Sequence, residues 1–171
     1  VVSRYEAPAP LGSFAFNEDG SLIIAMKEHV AAMSRPSGQL RMLGDIGCSH
    51  PNLRLNDGNA LPDGSFLVGT MHIGREPGEE PVGGLYRLDT ALQLHRVDTG
   101  LGITNGPCVN PKNGRLYVAD SAAHCIYSYA LGADGTFSDK QVFVNTEPYQ
   151  SSPDGCCFDL YGRLGTALVR A

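Results

Sequence analysis

Apolar residues in this chain fall into short runs set between glycine-containing turns. Leu22-Ile23-Ile24-Ala25 follows Asp19-Gly20, Phe66-Leu67-Val68 follows Asp63-Gly64, Leu116-Tyr117-Val118-Ala119 follows Asn113-Gly114, and Leu164 follows Tyr161-Gly162. The four glycines are 44, 50 and 48 residues apart. A short apolar segment precedes each turn, at 13–16, 59–61, 107–109 and 156–158. Asx-Gly between two such segments is a hairpin signal, and a two-residue turn puts both central residues at positive φ. One or two further strands follow each hairpin, at 31–35 and 39–43, at 84–88 and 92–97, and at 125–129 and 140–144. No 3.6-residue period holds over a helix-length window, so no helix is predicted. Four strands per unit of roughly 45 residues is the blade of a β-propeller.

The fold expected is therefore all-β: a β-propeller of four-stranded antiparallel blades, with about three and a half blades between residues 1 and 171. The fourth blade begins near Pro153 and stops midway, and the first few residues suit an outer strand of the blade before. Propellers close with about four to eight blades, and open sheet edges invite aggregation. Residues 1–171 are accordingly read as a single partial propeller domain, an internal portion of a longer one.

Composition narrows the function. Hydrophobic residues make up 42% of the chain and charged residues 18%, with 21 Gly and 11 Pro, which suits many turns between short strands. The net charge is −5 and no Lys/Arg cluster exists, which argues against a nucleic-acid partner. No apolar run approaches the roughly 18 residues of a membrane span, and the first residues lack the pattern of a signal peptide. The five cysteines, at 48, 108, 125, 156 and 157, form no C-x-x-C pair. They fit buried free thiols in a reducing compartment, the cytoplasm, with Cys156 and Cys157 on opposite faces of one strand. G-x-S-x-G and H-E-x-x-H are both missing, so neither a serine elbow nor a zincin is supported.

Aligning the repeats on the first glycine of each inner strand sets Leu11, Asp57, Asn105 and Asp154 in equivalent places, where each blade meets the central channel. Three of the four carry side-chain oxygens, and oxygens converging from separate blades suit a hard divalent cation. Asx-Gly pairs also cap their own turns, which is the competing reading for each residue alone. His72 and the insertion 74–81 make either a loop over the channel mouth or a solvated loop without a role. His50 reads as a plain loop histidine. His124 and Cys125, adjacent in an expected strand, point apart and make no zinc pair. Tyr127 and Tyr129 read as packing residues.

Three runs together resemble the senescence-marker-protein/gluconolactonase/luciferin-regenerating-enzyme-like family. They are Arg54-Leu55-Asn56-Asp57-Gly58 with Pro62-Asp63-Gly64 and Gly69-Thr70-Met71; Asn105-Gly106 with Leu116-Tyr117-Val118-Ala119-Asp120-Ser121; and Ser152-Pro153-Asp154-Gly155 with Phe158-Asp159 and Gly162. The resemblance implies a propeller that is six-bladed when complete, with one divalent metal ion in the channel mouth. It implies a metal-dependent lactonase of the gluconolactonase type, with a small-molecule sugar lactone as substrate. It makes Asn105 and Asp154 metal ligands, Asp154 also the general base towards water, Arg54 and Asn56 the substrate-binding pair, and Asp57 a cap of its own turn. The cation would be calcium or zinc, with magnesium and manganese open. The family's third ligand, a Glu in an E-G-P-x-W run, has no counterpart here; Glu18 lies in a hairpin instead. His72 follows Gly-Thr-Met where an acidic residue is common in the family. Two functions remain open: a lactone hydrolase, favoured by the joint presence of Arg54, Asn56, Asn105 and Asp154, and a non-catalytic calcium- or partner-binding propeller, favoured by the missing ligand and missing blades.

Overall fold

The computed structural model describes residues 4–47 and 50–170. The first sheet holds β1 (Leu11–Phe16), β2 (Leu22–Met26), β3 (His29–Met33) and β4 (Leu40–Asp45). The second holds β5 (Leu53–Ala60), β6 (Phe66–His72), β7 (Gly83–Leu88) and β8 (Leu94–Leu101). The third holds β9 (Thr104–Val109), β10 (Leu116–Asp120), β11 (Cys125–Leu131) and β12 (Phe137–Asn145). A single 3₁₀ turn, Glu147–Tyr149, leads into β13 (Ser152–Phe158) and β14 (Leu164–Val169), which pair alone. Every sheet is an antiparallel meander in chain order. These are three propeller blades and half of a fourth, as the repeat predicts. The first few residues, expected as an outer strand, include Val1–Ser3, which lie outside the described residues. Among the described residues no helix is long and apolar enough to cross a membrane.

The blades pack face to face, and this explains the unbroken apolar runs. A strand buried on both faces has no reason to alternate. Ile23 and Val30 of the first blade pack with Leu55, Phe66, Val68 and Tyr86 of the second. Leu67, Leu85 and Leu101 then pack with Leu116, Val118 and Tyr129 of the third. Cys108, Tyr117 and Ile126 pack against Phe158 and Leu164 of the half-blade. Each such fully buried Leu or Ile contributes about 1.5–3 kcal/mol. Tyr127 and Tyr129 both belong to these contacts, as expected. On the outer flanks, Tyr5 and Ala9 pack against Ile24 and Met33 of the first blade while Phe14 and Phe16 stay exposed, and Leu160, Tyr161 and Leu168 are exposed on the half-blade.

Two expectations about the chain path need correcting. The hairpin turns are not two-residue turns with both central residues at positive φ. Gly20, Gly64, Gly114 and Gly162 have positive φ, but Asp19, Asp63, Asn113 and Tyr161 do not. The turns are longer, as in Asn17 to Ser21, where Gly20 N–H returns to Asn17 O and the Asp19 carboxylate accepts the Ser21 N–H. A longer loop closed by a left-handed glycine satisfies the same twist. The second correction concerns Asp57-Gly58, where a turn was expected ahead of the short segment at 59–61. Residues 53–60 are strand, and Asn56-Asp57 form a bulge within β5. Leu53 and Leu55 point into the core while Arg54 and Asn56 alternate with them, half-buried.

The bulge recurs in every inner strand. Register shifts at Gly12 in β1, across Asn56-Asp57 in β5, at Gly106-Pro107 in β9 and at Asp154-Gly155 in β13. These are the positions the glycine alignment made equivalent. Inner strands β1, β5, β9 and β13 lie side by side in that order around the axis. A bulge frees residues from the ladder and re-aims their side chains.

Candidate active site

Arg54 and Asn56 come from β5, Asn105 from β9 and Asp154 from β13. Asn56 Nδ2 donates to Asn105 Oδ1 and to Thr104 O, each at 2.9 Å. Arg54 Nη1 donates to Leu55 O at 2.9 Å and to Asn56 Oδ1 at 3.5 Å, so the guanidinium lies beside the carboxamide. Asn105 Nδ2 donates to Ser121 Oγ at 2.8 Å, and Ser121 Oγ donates to Pro153 O, one residue before Asp154. A single chain of polar contacts therefore runs through the inner strands of three consecutive blades. Asn105, Ser121, Pro153 and Asp154 line one cleft of about 270 Å³ with Ile103 and Val169.

Asp57 takes a different part from its neighbours. Its Oδ1 accepts the Gly58 N–H at 2.9 Å, the expected local cap, and its Oδ2 accepts the Gly106 N–H of β9 at 2.7 Å. It ties blade to blade as well as capping itself. Gly106, with φ of 54°, passes so near β13 that a Cβ there would meet the Cys156 backbone nitrogen. Leu11, the fourth aligned position, is half exposed and offers no donor.

Sequence reasoning left two positioning residues unassigned. Asp120 is buried, and its carboxylate accepts the N–H groups of Gly102, Ile103, Ala122 and Ala123 at 2.9–3.3 Å. It anchors the chain just ahead of Asn105. Ser121 orients the Asn105 carboxamide, turning Oδ1 towards Asn56. Both stand in the Asp-Ser pair that ends the third buried run, which was the available signal.

The donor chemistry suits a hard divalent cation in part. Asn105 Oδ1 and the Asp154 carboxylate, whose Oδ1 accepts the Gly155 N–H at 2.8 Å, are oxygen donors carrying one formal charge between them. Two of the thiols near the channel, Cys108 and Cys156, are held protonated and make poor nucleophiles. Burial, aided by the neighbouring Cys156, Cys157 and Asp57, pushes the Cys108 thiol up to about 12, and burial raises Cys156 as well. Among the described residues Cys108, Cys125, Cys156 and Cys157 are free, with Cys108 and Cys125 buried and Cys157 exposed. Cys48, also read as a buried thiol, lies outside the described residues.

A second cluster arises where none was expected. His50, read as a plain loop histidine, meets His72 at the end of β6 and Glu79 from the 74–81 insertion, with one donor atom from each within 4.8 Å of the others. His124, in contrast, takes no part in a metal cluster among the described residues. It sits in a turn with φ of 51° before β11, not in the strand itself, and its Nδ1 contacts Ser151 O at 3.2 Å.

The sequence matches the SMP-30/gluconolactonase/LRE-like region over residues 2–171. It is 28% identical over 163 residues to the 6-deoxy-6-sulfogluconolactonase of Pseudomonas putida, covering 94% of this chain and 55% of that protein. It is 29% identical over 168 residues to the L-arabinolactonase of Azospirillum brasilense, covering 97% of this chain and 55% of that protein. Among solved structures, a calcium-binding regucalcin from Agrobacterium tumefaciens superposes with a TM-score of 0.84 at 22% identity, over 96% of this chain and 55% of its own. The chain spans about half the length of the curated relatives it matches. Three and a half blades in that share agree with a complete ring of about six.

Proposed function

This chain belongs to the SMP-30/gluconolactonase/LRE-like family, and from that premise we propose that it serves in the hydrolysis of small sugar lactones at the mouth formed by β5, β9 and β13. The observation that carries this reading is the Asn56 Nδ2 to Asn105 Oδ1 bond of 2.9 Å. It brings the proposed polyol-binding pair against the Asn105 oxygen of the next blade. The lactonase names of two relatives support the same substrate class.

In this proposal the fixed fork of Arg54 donates to ring hydroxyls or to the developing carboxylate. Asn56 offers a donor and an acceptor to the same sugar. The Asp154 carboxylate takes a proton from water as its oxygen bonds to the lactone carbonyl carbon. The ring C–O bond then breaks, the ring oxygen takes up the proton held on Asp154 and leaves as a hydroxyl, and the product is the open sugar acid. A divalent cation held by Asn105 and Asp154 would polarise that carbonyl and acidify the attacking water. Their all-oxygen character favours a hard ion such as calcium, magnesium or manganese, with zinc also open. The ring blades outside residues 1–171 would supply the remaining ligands.

The test is acid release from D-glucono- and L-arabinonolactone in a pH-stat, corrected for spontaneous opening, on the full-length protein. Activity is expected to vanish with a chelator and return with a divalent ion. Asp154→Ala is expected to lower kcat by about 10²-fold or more, and Arg54→Ala to act mainly on KM. Undiminished activity in Asp154→Ala removes the base. No acid release from any lactone by the unmodified protein, with divalent ions bound, leaves the binding propeller as the function.

A further inference from the structure

His72 closes β6, paired with Leu53 of β5. Its side chain is fully buried, yet neither Nδ1 nor Nε2 makes a hydrogen bond among the described residues. Two orphaned polar atoms in one buried ring are costly, and a site that keeps them normally has a partner for them. The nearest groups are the histidine and the carboxylate noted above. His72 Nε2 stands 3.6 Å from Glu79 Oε1, and His50 Nε2 stands 3.7 Å from the same oxygen. The two rings meet edge to face with centroids 4.5 Å apart. These separations are too long for hydrogen bonds. They approach the roughly 3.3 Å between two ligands held about 2.0–2.1 Å from one tetrahedral zinc.

The surroundings hold the donors in place. Glu79 Oε2 accepts the Glu76 N–H at 2.9 Å while Glu79 N–H returns to Glu76 O at 3.0 Å, which leaves Oε1 turned to the histidines. The Leu53 N–H binds His50 O at 3.0 Å and the His72 N–H binds Gly102 O at 2.9 Å, so both histidines stand on tied backbone. Outer contacts of this kind orient ligands in metal sites.

We propose that His50, His72 and Glu79 form a second cation site, distinct from the oxygen donors at Asn105 and Asp154, that takes a zinc-class divalent ion. Two imidazoles and one carboxylate select borderline metals such as zinc, cobalt or nickel over calcium or magnesium. Three protein ligands leave a fourth position for water. The ion would pin the 74–81 insertion to the rim beside Arg54, whose partner Met71 precedes His72 on β6. Coordination through His50 Nε2 moves its ring proton to Nδ1, which now accepts the Asn52 N–H at 3.2 Å. The Asn52 amide is therefore a reporter of loading.

Cobalt titration of the purified full-length protein, with calcium in excess, tests this. A visible d–d absorption band is expected, displaced by zinc, together with a shift of the Asn52 amide resonance. Glu79→Gln, in a loop that leaves the core intact, and His50→Gln should each weaken cobalt binding roughly 10–100-fold or more, with circular dichroism unchanged. Asp154→Asn should leave the band as it was. No band in the unmodified protein overturns the site. So does a band that survives Glu79→Gln, or one that Asp154→Asn abolishes. Lactone turnover does not enter the readout, so failure of the catalytic proposal leaves this result standing.

Discussion

Replacing Asp57 by Asn separates a structural carboxylate from a cation ligand. The carboxylate accepts two backbone N–H groups at once, Gly58 at 2.9 Å and Gly106 at 2.7 Å. A carboxamide accepts with one end only and turns an N–H₂ towards the other donor. A hydrogen bond to a charged group contributes about 1.5–3 kcal/mol, and a half-buried one falls in the lower part of that range. Opposing donors add to the loss, so Asp57→Asn is expected to cost about 2–3 kcal/mol. For a chain of this size each kcal/mol moves Tm by about 2–4 °C, giving a fall of about 4–12 °C. The assay is thermal unfolding by circular dichroism at fixed ionic strength, once with a chelator and once with excess calcium. A structural tie between blades predicts the same fall in both. A fall seen only with calcium would make Asp57 a ligand, and a Tm within about 1 °C of the unmodified protein in chelator would refute the energetic reasoning.

Two further outcomes follow from the same contacts. Ser121→Ala removes the acceptor of the Asn105 carboxamide, so calcium affinity by titration calorimetry should fall about tenfold with little change in Tm; an unchanged affinity would show that Asn105 needs no such support. Iodoacetamide at pH 8, read by peptide mass spectrometry on the folded protein, should label exposed Cys157 and spare Cys108. Burial holds the Cys108 thiol near 12, leaving a thiolate fraction of about 10⁻⁴ at that pH, and equal labelling of the two would contradict the packing.

The blades were legible because each is announced locally. A run buried on both faces is apolar without alternation, and a glycine closes the turn before it, so 22–25, 66–68 and 116–119 declare themselves. The inner-strand glycines were legible for a similar reason, since a backbone that bulges beside another strand has no room for a Cβ, as at Gly106. The strand at Leu53–Ala60 was not, because the bulge breaks its alternation after two periods and leaves a polar stretch resembling a loop. His50, His72 and Glu79 were beyond reach for another reason. They are 22 and 7 residues apart, and the pairing of Leu53 with His72 and a folded-back insertion bring them together. No local pattern encodes that meeting. The contribution of Ser121 was half visible, since the Asp-Ser pair marks the position but nothing in it says which neighbouring blade the hydroxyl will touch.

The repeated bulge has a consequence for how such a protein can change. At the same place in four inner strands the backbone steps out of the ladder beside a glycine, and the residues there are Leu11, Asp57, Asn105 and Asp154. One geometry already tolerates a hydrocarbon, a carboxamide and two carboxylates. The positions behave as sockets around a common axis, refillable without rewriting the sheet except at Asp57, whose carboxylate also ties one blade to the next. New chemistry in this architecture then becomes a combinatorial choice, made blade by blade, and the scaffold shares the cost only where the side chain also holds a neighbouring strand, as Asp57 holds the Gly106 N–H.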